Sequence, residues 1–212
     1  LTMTVSTLAA DSLTYPITRK EEVVETIHGI KISDPYRWLE DDNSEETKKW
    51  VKAQNEVTFG YLEKLPRRAE IQLRLKELWN YERVGMPFER GGRWFYSYNS
   101  GLQNQSVLMT GDSLEAKAAV LLDPNAMSKD GTTSLTDYEP SEDGKLIAYG
   151  VSEAGSDWTT IRVRDIASGK DLDDVIQWVK FSGISWLKDG SGFFYARYDA
   201  PKPGAALTAK NE

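Results

Sequence analysis

The chain has 212 residues and a net charge of −7, with 12 basic against 14 acidic residues before Tyr81 and 14 against 19 from there on. Neither part carries the basic excess that a nucleic-acid partner needs. With no Cys and one His, disulfides, thiolate metal sites and multi-histidine centres are excluded, and no run of about 18 apolar residues is present to span a membrane.

Residues 1-14 are expected to form a disordered or processed tail. Leu1 to Ala10 reads as a frayed end, or as the remnant of a signal peptide closing near Ala9-Ala10, although no charged leader region precedes it. The first reading goes with a cytoplasmic protein, the second with a periplasmic or secreted one.

Residues 15-80 have a mostly helical pattern. Asn43, three residues before Glu46, suggests a capping box. Thr47, Trp50, Val51, Val57, Thr58, Tyr61, Leu62 and Leu65 then recur at helical spacing and give one apolar stripe. Pro66 stands where a second helix could open, with Ile71, Leu75 and Leu78 on one side of it. The acidic run Glu40-Asp41-Asp42 suits a solvated helix entry, where the macrodipole favours negative charge.

After Met86 the pattern changes to short apolar runs. Arg93 to Tyr98, Ser106 to Met109, Ala119 to Leu122, Lys145 to Val151 and Thr159 to Arg164 read as strands, interrupted by Pro124, Pro140 and Asp-Gly pairs. A weak repeat runs through them. Asp143-Gly144 precedes Leu146 to Tyr149, and Asp189-Gly190 precedes Phe193 to Tyr195, with Gly91-Gly92 before Trp94 to Tyr96 as a looser copy. The period is near the ~40–50 residues of a propeller blade, but a run of hairpins in a β-sandwich accounts for it equally well. Ala200 to Glu212, rich in Pro and Gly, reads as chain running into a loop.

Candidate nucleophiles fare poorly. Gly111-Asp112-Ser113-Leu114 spells the nucleophile motif of the GDSL esterases, but the only His, His28, lies upstream, so Ser113 lacks an imidazole base and the segment reads as a polar turn. Gly-x-Ser-x-Gly occurs nowhere: Ser191 lies between Gly190 and Gly192, with Asp at 189. His28 is expected to be a satisfied structural residue. Phe181, by its own sequence context, reads as a core residue of its strand.

Six blocks change the weight of these readings. Asp34-Pro35-Tyr36-Arg37-Trp38-Leu39-Glu40, Gly101-Leu102-Gln103-Asn104-Gln105 and Leu122-Asp123-Pro124-Asn125 are followed by Ser141-Glu142-Asp143-Gly144, Gly155-Ser156-Asp157-Trp158 and Val179-Lys180-Phe181-Ser182. In this order, from Tyr15 to about Tyr198, the sequence closely resembles the N-terminal part of the prolyl oligopeptidases. The resemblance implies a mixed α and β fold: a helical arm over 15-80, packed on a hydrolase domain, then the first blades of a seven-bladed β-propeller over 81-212. About two blades and the start of a third are expected. Tyr36, Trp38 and Leu39 would anchor the arm on its neighbour.

The same resemblance implies a serine endopeptidase acting on short peptides after proline, with its Ser/Asp/His triad in a C-terminal α/β-hydrolase domain. None of these residues would then be catalytic, and the chain alone would be inactive. Phe181 would line a substrate subsite, against the apolar residue N-terminal to the substrate proline, a task suited to a rigid aromatic side chain. Short proline-containing peptides and the hydrolase domain are the expected partners, with no cofactor or metal and a monomeric complete protein. The alternative is a propeller-like binding or scaffold protein without catalysis.

Overall fold

Chain order begins with a hairpin rather than a helix. In the computed structural model, which describes residues 13–200, β1 (Val24–Ile27) pairs antiparallel with β2 (Ile30–Ser33). His28 and Gly29 form the turn, with φ of 51° and 80°. Two successive left-handed residues match the twist of a two-residue hairpin. His28, expected to be a structural residue, is an exposed member of this turn. The tail expected at 1-14 lies outside the described residues as far as residue 12, and the C-terminal loop lies outside them from residue 201.

A 3-10 turn, Arg37–Glu40, leads to α1 (Glu45–Leu62). The cap is one residue later than the sequence suggested. Ser44 is extended, and its Oγ accepts the Thr47 N–H at 3.1 Å. Asn43 is occupied in the preceding turn, where its N–H donates to Asp41. Trp38 serves the arm itself: its Nε1 donates to the Arg19 carbonyl at 2.9 Å, and the Arg19 guanidinium lies 4.9 Å from its ring centre. Trp50 reaches Thr18 Oγ1 at 2.9 Å in the same way. α2 (Arg68–Trp79) begins two residues after Pro66, and the chain divides into two units after Leu75, inside this helix and ahead of the boundary at 80 drawn from sequence. Neither helix is long and apolar enough to cross a membrane, nor is any other among the described residues.

The second unit is built from antiparallel sheets. In the first, β5 (Arg93–Asn99), β6 (Val107–Gly111) and β7 (Ala119–Leu122) run as a meander, with β3 (Arg83–Val84) and β4 (Phe88–Arg90) sharing the free side of β5. Pro87, which has no N–H to donate, falls in the gap between those two short pieces. The second sheet has the order β11-β10-β9-β8, from β8 (Ser134–Pro140), β9 (Leu146–Ser152), β10 (Thr159–Asp165) and β11 (Lys170–Val179). A hairpin of β12 (Ser185–Trp186) and β13 (Phe193–Phe194) follows. The turns before β5, β9 and β13 hold the three copies of the Gly repeat, so the repeat marks one position in successive sheets.

Those turns also explain the glycines. Gly91 has φ +54°, and a Cβ there would lie 2.2 Å from the Asp143 carbonyl carbon. Gly144, at φ +67°, would bring a Cβ to 2.8 Å from the Arg90 carbonyl oxygen. Backbone meets backbone between neighbouring sheets, and no side chain fits.

β9 decides between the two architectures left open by sequence. Ile147 and Tyr149 on one face join Phe95, Leu108, Leu121 and Leu122 of the first sheet. Ala148 on the other face joins Ile161, Val163, Val179 and Ile184, against which Trp186 and Phe193 of the third sheet pack. A two-sheet sandwich buries one face of each sheet, whereas here a central sheet is covered on both. Successive sheets are stacked face to face, as in a propeller.

One polar network stitches the first two sheets together. Arg164 Nη1 donates to the Leu121 carbonyl at 2.7 Å across the interface, and its Nε donates to Asp171 Oδ1 at 2.7 Å. Tyr149 Oη donates to the same carboxylate at 2.9 Å, under a guanidinium 5.5 Å from its ring centre. Burial and the hydrogen bond to Asp171 push the Tyr149 phenol up to about 12. At Asp171, burial works upward, but the hydrogen bonds from Arg164 and Tyr149 outweigh it and hold the carboxyl below the usual range.

Candidate functional site

Interest centres on the end of β11 and the connection that follows it. Here two aromatic residues take left-handed backbone angles, Trp178 within the last two residues of the strand at φ 64° and Phe181 just beyond it at φ 53°. Bulky residues adopt this region at a cost of about 1–2 kcal/mol each, so the surroundings must hold them there. They do so from both sides. The Trp178 carbonyl accepts the Tyr198 N–H at 2.8 Å, Val179 bridges to Arg197, and Ser182 Oγ accepts the Ala196 N–H at 2.8 Å. Further along, Ile184 N–H donates to Asp137 Oδ2 at 3.0 Å and Trp186 Nε1 to the Glu139 carbonyl at 2.7 Å.

Between these clamps Phe181 is 83% exposed. Its reading as a strand-core residue is thus corrected: Val179, at 1%, is the core residue of this segment. Beneath the connection the β9–β10 hairpin supplies a second aromatic group. Trp158 meets Trp178 edge-on at 5.9 Å and Tyr198 at 5.7 Å. Lys180 Nζ lies 3.3 Å from Asp157 Oδ2, 5.4 Å from the Trp158 ring centre and 5.1 Å from that of Phe181. An exposed apolar ring therefore stands on a pinned loop, beside a cation already shared between a carboxylate and an indole.

The serines singled out in the sequence have structural duties. Ser113 sits in the β6–β7 turn, where its Oγ accepts the Ala116 N–H at 3.1 Å. Ser191 Oγ donates to Asp189 Oδ1 at 2.7 Å in the β12–β13 turn. His28 is in the β1–β2 turn, and each serine hydroxyl is engaged within its own turn. Sequence reasoning missed the aromatic and cationic surroundings of Phe181, although Trp158 and Lys180 both lie in the quoted blocks.

The family model of the prolyl oligopeptidase N-terminal β-propeller domain matches residues 15–212. The chain belongs to the prolyl oligopeptidase family. Its stacked sheets are propeller blades of that N-terminal part, preceded by the helical arm. A prolyl endopeptidase of Elizabethkingia meningoseptica is 45% identical over 208 residues, covering 98% of this chain and 29% of the relative. Prolyl oligopeptidase A of Amanita bisporigera is 39% identical, over 87% of this chain and 28% of its own length. The chain thus spans less than a third of the relatives it matches. Among solved structures, a prolyl endopeptidase studied for inter-domain dynamics superposes with a TM-score of 0.83 at 37% identity, over 91% of this chain and 28% of that one. Prolyl oligopeptidase B of Galerina marginata, bound to a 25-residue macrocyclisation substrate, gives 0.78 at 32% identity, over 91% and 30%.

Proposed function

We propose that this chain is the arm and propeller portion of a serine endopeptidase that cleaves short peptides on the C-terminal side of proline. The observation that carries the reading is the 45% identity to a prolyl endopeptidase across 98% of the chain. On this reading residues 15-80 pack on a C-terminal α/β-hydrolase domain bearing the Ser/Asp/His triad. Residues 81-212 form the first blades of a lid that keeps water and folded chains from the reaction. The complete protein works as a monomer.

Phe181 is the residue of this portion that meets substrate, receiving the apolar side chain two positions before the proline. Its exposure on a pinned, left-handed connection supports that role, because a core residue would be covered and a disposable surface residue would not be strained. Phe181→Ala in the full-length enzyme should lower kcat/KM about 5- to 150-fold on peptides that reach this subsite, the loss of roughly 1–3 kcal/mol of apolar contact. Peptides too short to reach it should be cut as before. Equal losses on both would refute the assignment. The 212 residues alone should not hydrolyse a chromogenic proline peptide, while the full-length enzyme should do so and lose activity to a serine-directed inhibitor. Turnover by the short chain that Ser113→Ala abolishes would overturn the reading.

A further inference from the structure

Granting the reading of Phe181 as a subsite wall, we propose that Lys180 is the positioning residue of that wall, holding the Phe181 ring where substrate meets it. The backbone around Phe181 is fixed by the Tyr198 to Trp178 and Ala196 to Ser182 hydrogen bonds, but those bonds leave the side chain free to turn. At 83% exposure the ring has little packing to choose a rotamer for it. What it has is a cation beside it: Lys180 Nζ lies 5.1 Å from its centre, within the range where an ammonium attracts a ring face.

That cation is itself held. Asp157 Oδ2 lies 3.3 Å away, and the Trp158 ring centre 5.4 Å away. Trp158 in turn is fixed edge-on against Trp178 and Tyr198. The Lys180 side chain is only 26% exposed, against 60% for Asp157, so it is the more enclosed partner, and partial enclosure strengthens the attraction of its charge to rings. Position is thus passed from the aromatic group under the loop, through Nζ, to the exposed ring. Pre-ordering matters here because a subsite wall that must be frozen on binding gives back affinity as lost rotamer freedom.

The test uses the full-length enzyme and two chromogenic proline peptides, one with an apolar residue two positions before the proline and one too short to carry it. Lys180→Met keeps the stem and removes the charge. It should lower kcat/KM on the longer peptide roughly three- to tenfold, mainly through KM, the size expected for one partly dehydrated cation–ring contact. The shorter peptide should be unaffected, and Lys180→Arg should restore most of the loss. In a Phe181→Ala background, Lys180→Met should cost nothing further. A loss that persists in that background, or one equal on both peptides, overturns the positioning role. If Phe181→Ala separates the two peptides and Lys180→Met does not, only the inference about Lys180 fails. If Phe181→Ala itself spares the longer peptide, the subsite reading fails first.

Discussion

Replacing Arg164 by Met tests how the first two propeller blades are joined. The change keeps the bulk of the stem but leaves the Leu121 carbonyl and the Asp171 carboxylate each without the donor now 2.7 Å away. A hydrogen bond to a charged group contributes about 1.5–3 kcal/mol, and breaking a fully buried pair costs about 3–5 kcal/mol. The Arg164 and Asp171 side chains keep 19% and 30% of their exposure, so solvent screening lowers the figure to about 2–3 kcal/mol. Hydrogen exchange on the full-length protein should then show protection falling about 30- to 150-fold across β7, β9 and β10, with distant peptides unchanged. Adding Asp171→Asn should recover part of the loss, because the stranded charge is the larger share of it. Asp171 is held below its ordinary range, so its contribution is complete above about pH 4 and declines as pH falls through the depressed value. The gap between wild type and variant should therefore close on acidification. A change under threefold at neutral pH, or a double variant worse than the sum of its parts, would refute the reasoning.

Tyr149 works in the opposite pH direction. With its phenol pushed up to about 12, its contribution is intact below about pH 10 and lost as pH climbs towards 12, so Tyr149→Phe should flatten the alkaline limb of a stability profile. Gly91→Ala should destabilise the blade contact by about 2–4 kcal/mol, since it adds a clash to left-handed strain. Gly92→Ala, with φ +76° and no atom within 4 Å of the added Cβ, should cost only the strain of about 1–2 kcal/mol, and thermal melts of the pair would expose any error in the turn geometry. At α1, Ser44→Ala should fray the first turn by about 1 kcal/mol and Asn43→Ala should leave it intact, as read by exchange of the Thr47 amide.

Strands with their own apolar run were legible in the sequence. Ala119–Leu122 and Thr159–Asp165 fall within a residue of where their patterns put them. β8 and β11 were not read as strands, and the reason is compositional. Ser134–Pro140 and the Lys-Asp-Leu-Asp-Asp start of β11 are polar, and tertiary pairing with β9 and β10, rather than propensity, makes them strands. The Arg164 network was hidden for a related reason. Alternation in Thr-Ile-Arg-Val-Arg-Asp sends Ile161 and Val163 inward and both arginines to what looks like solvent. In a stacked array that second face also has a neighbour, so one arginine becomes an inter-blade donor. The capping box slipped by one residue because Asn43 and Ser44 are both good caps, and only the preceding turn, where Asp41 takes the Asn43 N–H, separates them.

Phe181 shows where alternation itself stops working. Val179 and Phe181 are two residues apart, so a continuing strand would put both on the same face, and with Val179 buried Phe181 would be buried too. The left-handed angles at Trp178 and Phe181 break that period. Nothing in Trp178-Val179-Lys180-Phe181-Ser182 announces such angles, since none of the five is a Gly, Asn or Asp. The conformation is imposed by Ala196 and Tyr198, residues that arrive from beyond the next turn and supply the hydrogen bonds. A local reading therefore returns a core residue, and only the family resemblance pointed to an exposed ring. A position whose side chain contradicts its local pattern, and whose backbone is strained by distant residues, is where function is most sensibly sought.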